Sequence, residues 1–346
     1  MRALTLTQLG GLEHLVVQEV PEPVVASPTD VLVRIRAAAL NHLDLFVVKG
    51  LPGVQYSFPH VMGGDGAGVV EAVGPAVRAV RPGDRVMINP GISCHACDPC
   101  LDGEHSLCTT YRLLGEHLPG SIAEYLVVPE RNLARVPDGM PWPEAAAFSL
   151  ATLTAWRMLV TRARLHAGET ALIWGVGGGV SLAALRIAKL LGARVIATSA
   201  SDRKLEVARS LGADVTINHA RTDVAAEVRA LTGKRGVDVV VDNVGERTWE
   251  ASLRCLARMG RLVTCGGTTG PMVVTDVRKL FWYQWSILGS TMGNHREYRE
   301  IVRLAGEGKL WPLIDRVVPL EDAPRAFARL AEAEQMGKIV IEVSRD

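Results

Sequence analysis

Apolar positions follow two different rhythms along this chain. Over roughly the first 130 residues, short β-branched runs such as DVLVRIRAAAL and GAGVVEAVG are broken repeatedly by Gly and Pro, which predicts an irregular β-domain with few helices. From Trp156 the pattern alternates. TALIWGV reads as a strand, SLAALRIAKLLGA as an amphipathic helix, RVIATS as a strand, DRKLEVARSLGA as a helix and DVTIN as a strand. A helix over 224–231, the strand VDVVVDNV, a helix over 246–257 and the strands RLVTCGG and SILGST continue the series. Strand and helix repeated in this way predict a parallel sheet covered on both faces, the doubly wound α/β class. Gly192 and Gly212 fall where helices must stop, in positions that favour a left-handed residue. After Thr291, a helix over 296–306, a Pro-rich stretch, a helix over 323–334 and a last strand KIVIEV predict a tail that returns to the first domain. Three segments result: 1–150, 151–291 and 292–346.

Composition narrows the class of function. At 346 residues the chain exceeds one ordinary core, and 48% hydrophobic with 22% charged residues is a globular balance. A net charge of +1 provides no electrostatic footprint for nucleic acid or anionic lipid. The N-terminal MRALTLTQLGGLEHLVV has no signal-peptide pattern, and no apolar run reaches the ~18 residues of a membrane span, so a cytoplasmic protein is expected.

The turn after the first strand of the alternating region is ALIWGVGGGVSLAALRIA, which places Gly175, Gly177, Gly178 and Gly179, followed by Val180, between a strand and a helix. Glycine there lets the backbone approach a pyrophosphate, and the helix N-terminus offers unpaired N–H groups. A nicotinamide dinucleotide is therefore the expected cofactor. An NAD-specific site would carry a carboxylate about 20 residues further on, at the end of the second strand. Ser199 stands there instead, with Arg203 and Lys204 close behind to neutralise a 2′-phosphate, so NADP(H) is favoured over NAD(H). Asp202 is the rival acid, read as a cap on the helix that follows. Asn243, Val244, Cys265 and Gly266 end the fourth and fifth strands at the carboxyl edge, where such sheets bind ligands.

Cys94, Cys97, Cys100 and Cys108 follow C-x2-C-x2-C-x7-C, a spacing that wraps four thiolates around one tetrahedral ion. Disulfides conflict with a reducing compartment, and the fourth spacing departs from ferredoxins, so one zinc is expected. Four thiolates leave no open coordination position, which makes that zinc structural. His95 and His105 are surplus donors on the same lobe, 91–110, read as solvated. Cys255 and Cys265 read as small buried residues.

These features together resemble the medium-chain dehydrogenase/reductase superfamily over essentially the whole chain. GGDGAGVVEAVGPAV and PGDRV are similar to its N-terminal signature, GISCHACDPC to the structural zinc loop of its alcohol dehydrogenase branch, and KRGVDVVVDNVG, GRLVTCG and GKIV to its cofactor-domain and tail segments. The resemblance implies a GroES-like β-domain, a Rossmann domain, a cleft between them and hydride transfer at a nicotinamide. It also implies a homodimer or homotetramer, with FWYQWSILGSTM as the shared edge. His42 matches a position near the cofactor phosphates and Thr154 one that packs beside the nicotinamide.

One expected feature is missing. The three ligands of the catalytic zinc in zinc alcohol dehydrogenases fall here on Asn41, Gly64 and Leu150, with Asp65 in the place of a glutamate, and the proton-relaying hydroxyl falls on Leu43. The donors His42, Asp44, His60, Asp65 and His117 leave a rebuilt site open, with His60 read as a loop residue. Without a Lewis acid, reduction of quinones or α,β-unsaturated carbonyls is the expected chemistry, with Asn41 as carbonyl hydrogen-bond donor and Asp44 beside it. That matches the zinc-free quinone oxidoreductase branch, which NHLDLF and LTAW resemble. An alcohol dehydrogenase and a nucleotide-binding protein without turnover are the alternatives.

Overall fold

The computed structural model describes residues 1–344 and divides the chain into two compact units, Met1–Ala151 with Asn294–Asp346, and Thr152–Gly293. In the first unit, Asp30–Ala39 is the central strand. It pairs antiparallel with Asp65–Val73 along one edge, and with Tyr125–Pro129 and the C-terminal Lys338–Glu342 at the two ends of the other. Leu133–Arg135, Arg85–Ile88 and Ile314–Pro319 complete this seven-stranded sheet. A smaller sheet joins Leu15–Glu19, Arg2–Leu6 and His60–Val61. His60 is thus a buried strand residue, its ring nitrogen 3.0 Å from the Gly115 carbonyl, and not the loop residue its neighbour Pro59 suggests. The pair Gly91–Ile92 and Arg112–Leu113 closes the base of the cysteine lobe.

The returning tail completes the first unit's core. Phe327 and Leu330 of the helix Ala323–Ala331, with Ile339 and Ile341 of the last strand, pack into one cluster with Leu4, Leu6 and Ile35. That helix stops three residues before the expected 334, and Ala333 takes a left-handed φ of +53° just beyond it.

The second unit is a six-stranded, all-parallel sheet. Its order is Val215–Asn218, Arg194–Ser199, Thr170–Ile173, Val237–Val241, Leu256–Thr264, Ser286–Gly289. The run VDVVV is buried at every position, as a strand covered on both faces must be. Gly192 and Gly212 hold φ of +78° and +102° after the helices Gly179–Leu190 and Asp202–Ser210. The helix expected over 246–257 is shorter, Trp249–Cys255. Buried Asp242 takes the N–H groups of Val244 and Gly245 and the hydroxyls of Thr248 and Ser252, and so holds the preceding residues as a turn.

Candidate active site and metal centres

The glycine turn is shaped to receive a ligand. Gly175 takes a φ of +64°, a left-handed conformation in which a side chain would strain the backbone. Gly178, the N-cap of Gly179–Leu190, faces open space: an added Cβ there would meet nothing within 4 Å. The first N–H groups of that helix, at Gly179, Val180 and Ser181, have no intrahelical partner by geometry, while the Ser181 hydroxyl donates to Trp174 O at 2.7 Å and fixes the turn. A pyrophosphate fits this cradle. Beside it, Trp174, Gly175, His219, Val244 and Thr248 line a groove of about 470 Å³ at the carboxyl edge of the sheet.

Ser199 ends the second strand, buried, its Oγ accepting from Ser201 N–H at 3.2 Å. Asp202 is the first residue of its helix and does not cap it. Its carboxylate is held by Arg221 at 2.9 Å and by Asn218 Nδ2 at 2.6 Å, because the third strand brings both partners alongside. Arg203 is exposed and Lys204 half-buried. Asn243 and Val244 lie past the fourth strand, which stops at Val241 before Asp242, and Cys265 and Gly266 follow the fifth, which stops at Thr264, so these residues sit in the loops at the carboxyl edge and do not end the strands as expected. Thr154, buried in the helix Trp142–Trp156, donates to Met292 Sδ at 3.7 Å.

In the lobe, the four cysteine sulfurs lie within 4.8 Å of one another, and Cys94 Sγ is 4.0 Å from Cys100 Sγ. Thiolates around one zinc stand about 3.8 Å apart, so the set fits that ion. Backbone N–H groups of Ala96 and Cys97 point at Cys94 Sγ, and that of Cys94 at Cys108 Sγ, the donors that stabilise thiolate charge.

The positions that would ligate a catalytic zinc hold something else. Asn41 precedes the helix His42–Lys49, where its N–H donates to Asp44 Oδ2 at 2.7 Å. Its side chain bridges two charges: Nδ2 donates to Asp65 Oδ2 at 2.9 Å, and Oδ1 accepts from Lys338 Nζ at 2.5 Å. Lys338 also reaches Asp65 Oδ2 at 3.0 Å, and Leu150 N–H donates to Asp65 Oδ1 at 2.8 Å. All of these polar groups are buried. A Cβ at Gly64 would lie 3.2 Å from Leu150 Cδ1 and 3.4 Å from the Leu114 carbonyl, so Leu150 fills the space a histidine would need. An amide, a glycine and a leucine around a carboxylate already matched by an ammonium do not fit zinc. Burial raises the Asp44 pKa to about 7 against the pull of the Asn41 N–H and Lys338, with Asp65 adding to the rise.

His42 is exposed and packs edge-on to Phe46, and His117 accepts from Leu113 N–H, so the sequence's alternative donors do not converge. Among the described residues, metal-ligating side chains gather in threes or more at two places: the four cysteines, and His95, His105 and His295. The two lobe histidines are therefore not simply solvated. They stack with a third ring supplied by the tail, and burial, then the neighbouring rings, lowers the pKa of His295 to about 3. Sequence reasoning missed Lys338, Asn218, Arg221 and His295. Only the GKIV tail segment flagged one of them, and not its partners.

Comparison with known proteins agrees with this architecture. Residues 179–307 match the family described as zinc-binding dehydrogenase, and residues 27–138 the alcohol dehydrogenase GroES-like domain. A zinc-type alcohol dehydrogenase-like protein of Schizosaccharomyces pombe is 31% identical, covering 99% of each chain. A quinone oxidoreductase of Pseudomonas aeruginosa is 33% identical over 96% of each. A solved structure described as an NAD-dependent alcohol dehydrogenase superposes with a TM-score of 0.96 at 46% identity, covering 99% of this chain and 100% of that one. A GroES-like β-unit with a cysteine lobe, joined to a Rossmann sheet, defines a two-domain oxidoreductase. The chain belongs to the medium-chain dehydrogenase/reductase superfamily.

Proposed function

We propose that this enzyme transfers hydride from a nicotinamide dinucleotide, NADPH in preference to NADH, to a quinone or an α,β-unsaturated carbonyl, with its structural zinc confined to the cysteine lobe. One observation carries the reading: the corner where relatives of the alcohol dehydrogenase pattern hold a catalytic zinc is built from Asn41, Gly64 and Leu150 around a Lys338–Asp65 ion pair. An alcohol needs a Lewis acid or a strong base to lower its hydroxyl pKa before hydride can leave. A conjugated acceptor spreads the arriving charge over its own carbonyl, and a few hydrogen-bond donors suffice to steady it.

The bound nicotinamide would supply the hydride. The protein's part is to hold the pyrophosphate on the turn from Gly175 to Val180 and to keep a rigid, charge-balanced wall beside the substrate. Asn41 and Asp44 act in that wall as positioning residues, since the amide of Asn41 is spent on Lys338 and Asp65 and the carboxylate of Asp44 on the helix cap. Ser199 in place of an acid, with Asp202 neutralised by Arg221 and Arg203 exposed, supports NADPH. The relative named a quinone oxidoreductase is in keeping with this reading, and those named alcohol dehydrogenases favour a second one, alcohol oxidation.

The two separate in one panel. Purified protein is assayed with NADPH and NADH against quinones and enones, and with NADP+ and NAD+ against primary and secondary alcohols, before and after treatment with a chelator. Turnover of enones or quinones that survives chelation in folded protein is expected, with a higher kcat/KM for NADPH. Alcohol oxidation that disappears with the metal while the fold persists would overturn the proposal.

A further inference from the structure

Three histidines distant in the chain converge in the first unit. His95 and His105 lie in the cysteine lobe, and His295 opens the twelve-residue helix His295–Gly306. Their ring centroids are 4.9, 5.0 and 4.6 Å apart, and one nitrogen from each lies within 4.8 Å of the other two. Three imidazoles on one tetrahedral ion stand about 3.4 Å apart, so the ligand nitrogens need to close by no more than about 1.4 Å. All three are half-exposed, with room to do so.

Further details point to a ligand. Nδ1 of His105 is buried without a well-formed hydrogen bond, the Gly103 backbone lying near the ring but not closing one of full geometry. His95 holds a φ of +58°, uncommon without glycine, and its Nε2 sits 3.0 Å from Ser93 Oγ. With Nε2 engaged, Nδ1 is the atom left for a metal, the usual arrangement by which an outer partner sets a ligand's tautomer. The groove around the rings carries charges of both signs, Asp102 and Glu104 as well as Arg131 and Arg299.

We propose that His95, His105 and His295 bind one first-row transition ion of the zinc and cobalt type, as a second metal site that ties the cysteine lobe to the helix His295–Gly306. Imidazole nitrogens suit these ions, and three protein ligands leave the fourth position to water. The site shares no residue with the Lys338–Asp65–Asn41 corner, so its metal binding is tested without reference to which substrate the enzyme reduces or oxidises.

The test uses the whole protein with its cysteine-bound zinc in place, titrated with Co2+ in chelator-free buffer and followed by metal content and absorption. The expected result is a second metal equivalent with visible d–d bands, no thiolate charge-transfer band in the near ultraviolet, and a raised melting temperature. His295→Ala and His105→Gln should each weaken that equivalent about tenfold or more, while keeping the first zinc and the melting temperature of protein without added cobalt. Failure to bind a second equivalent at roughly tenfold excess, or a second equivalent undiminished in both variants, would overturn the proposal. So would thiolate bands, which would mean that cobalt had displaced the lobe's zinc, or a melting temperature raised by inorganic phosphate and not by Co2+, which would mean an anion site made by the arginines.

Discussion

Asp44 is 1% exposed and holds its helix cap from a buried position, and burial places its pKa at about 7 despite the opposing Asn41 N–H and Lys338. The unfolded value is about 3.9, so the native chain binds the proton more tightly. Stability from this group is complete below pH 4 and is lost as pH rises through 7. Asp44→Asn keeps an acceptor for the cap and removes the titration. Relative to the wild type, the variant should therefore gain stability with rising pH, by about 1.4 kcal/mol per unit between pH 4 and 7, as measured by urea unfolding at a series of pH values. A difference between the two that stays flat with pH would show that Asp44 titrates normally. Lys338 and Asp65 illustrate what residue identity alone conceals. Nothing local in GKIV marks Lys338 for burial, yet it is 4% exposed and pairs with a carboxylate with none of its surface open. Such a pair is tolerable in a low-dielectric interior only because Asn41 and the Leu150 N–H complete its hydrogen bonds.

The glycine turn and its helix were legible because their determinants are local. A strand, a left-handed Gly175 and an uncapped helix N-terminus all follow within a few residues. Gly178 separates folding from binding. Its φ is −86° and the space above it is empty, so Gly178→Ala should fold with an unchanged melting temperature. The added methyl occupies the pyrophosphate's approach, and the Kd for NADPH measured by fluorescence should rise about tenfold or more. Unchanged affinity would move the cofactor off this turn. The helix end at Glu246–Thr248 was not legible, because a buried carboxylate that gathers N–H and hydroxyl donors overrides a pattern that reads as helical.

In the whole molecule, each unit carries its own core, and the first is finished by the last strand to be made. The lobe contributes few apolar side chains, Leu101 and Leu107 being exposed, so metal must hold it. One zinc per chain should survive extensive dialysis, and Cys97→Ser should lose it together with several degrees of melting temperature, read by elemental analysis and calorimetry. Retention of that zinc by the variant would exclude the four-cysteine site. On the second unit, Phe281 and Trp282 are each 65% exposed beside the edge strand Ser286–Gly289.

The alternation of strand and helix, the glycine stops at Gly192 and Gly212, the glycine turn and the four-cysteine cluster could be read directly from the chain, since each depends on spacing over about fifteen residues or fewer. The absence of zinc ligands at Asn41, Gly64 and Leu150 was equally plain. What replaces them was not, because Lys338 meets Asn41 and Asp65 across 297 and 273 residues. Contacts that long are set by the register of the returning strand against Ala37–Ala39, a property of the folded sheet that no local pattern encodes. The same holds for His295, which reaches the lobe histidines only once the tail has come home.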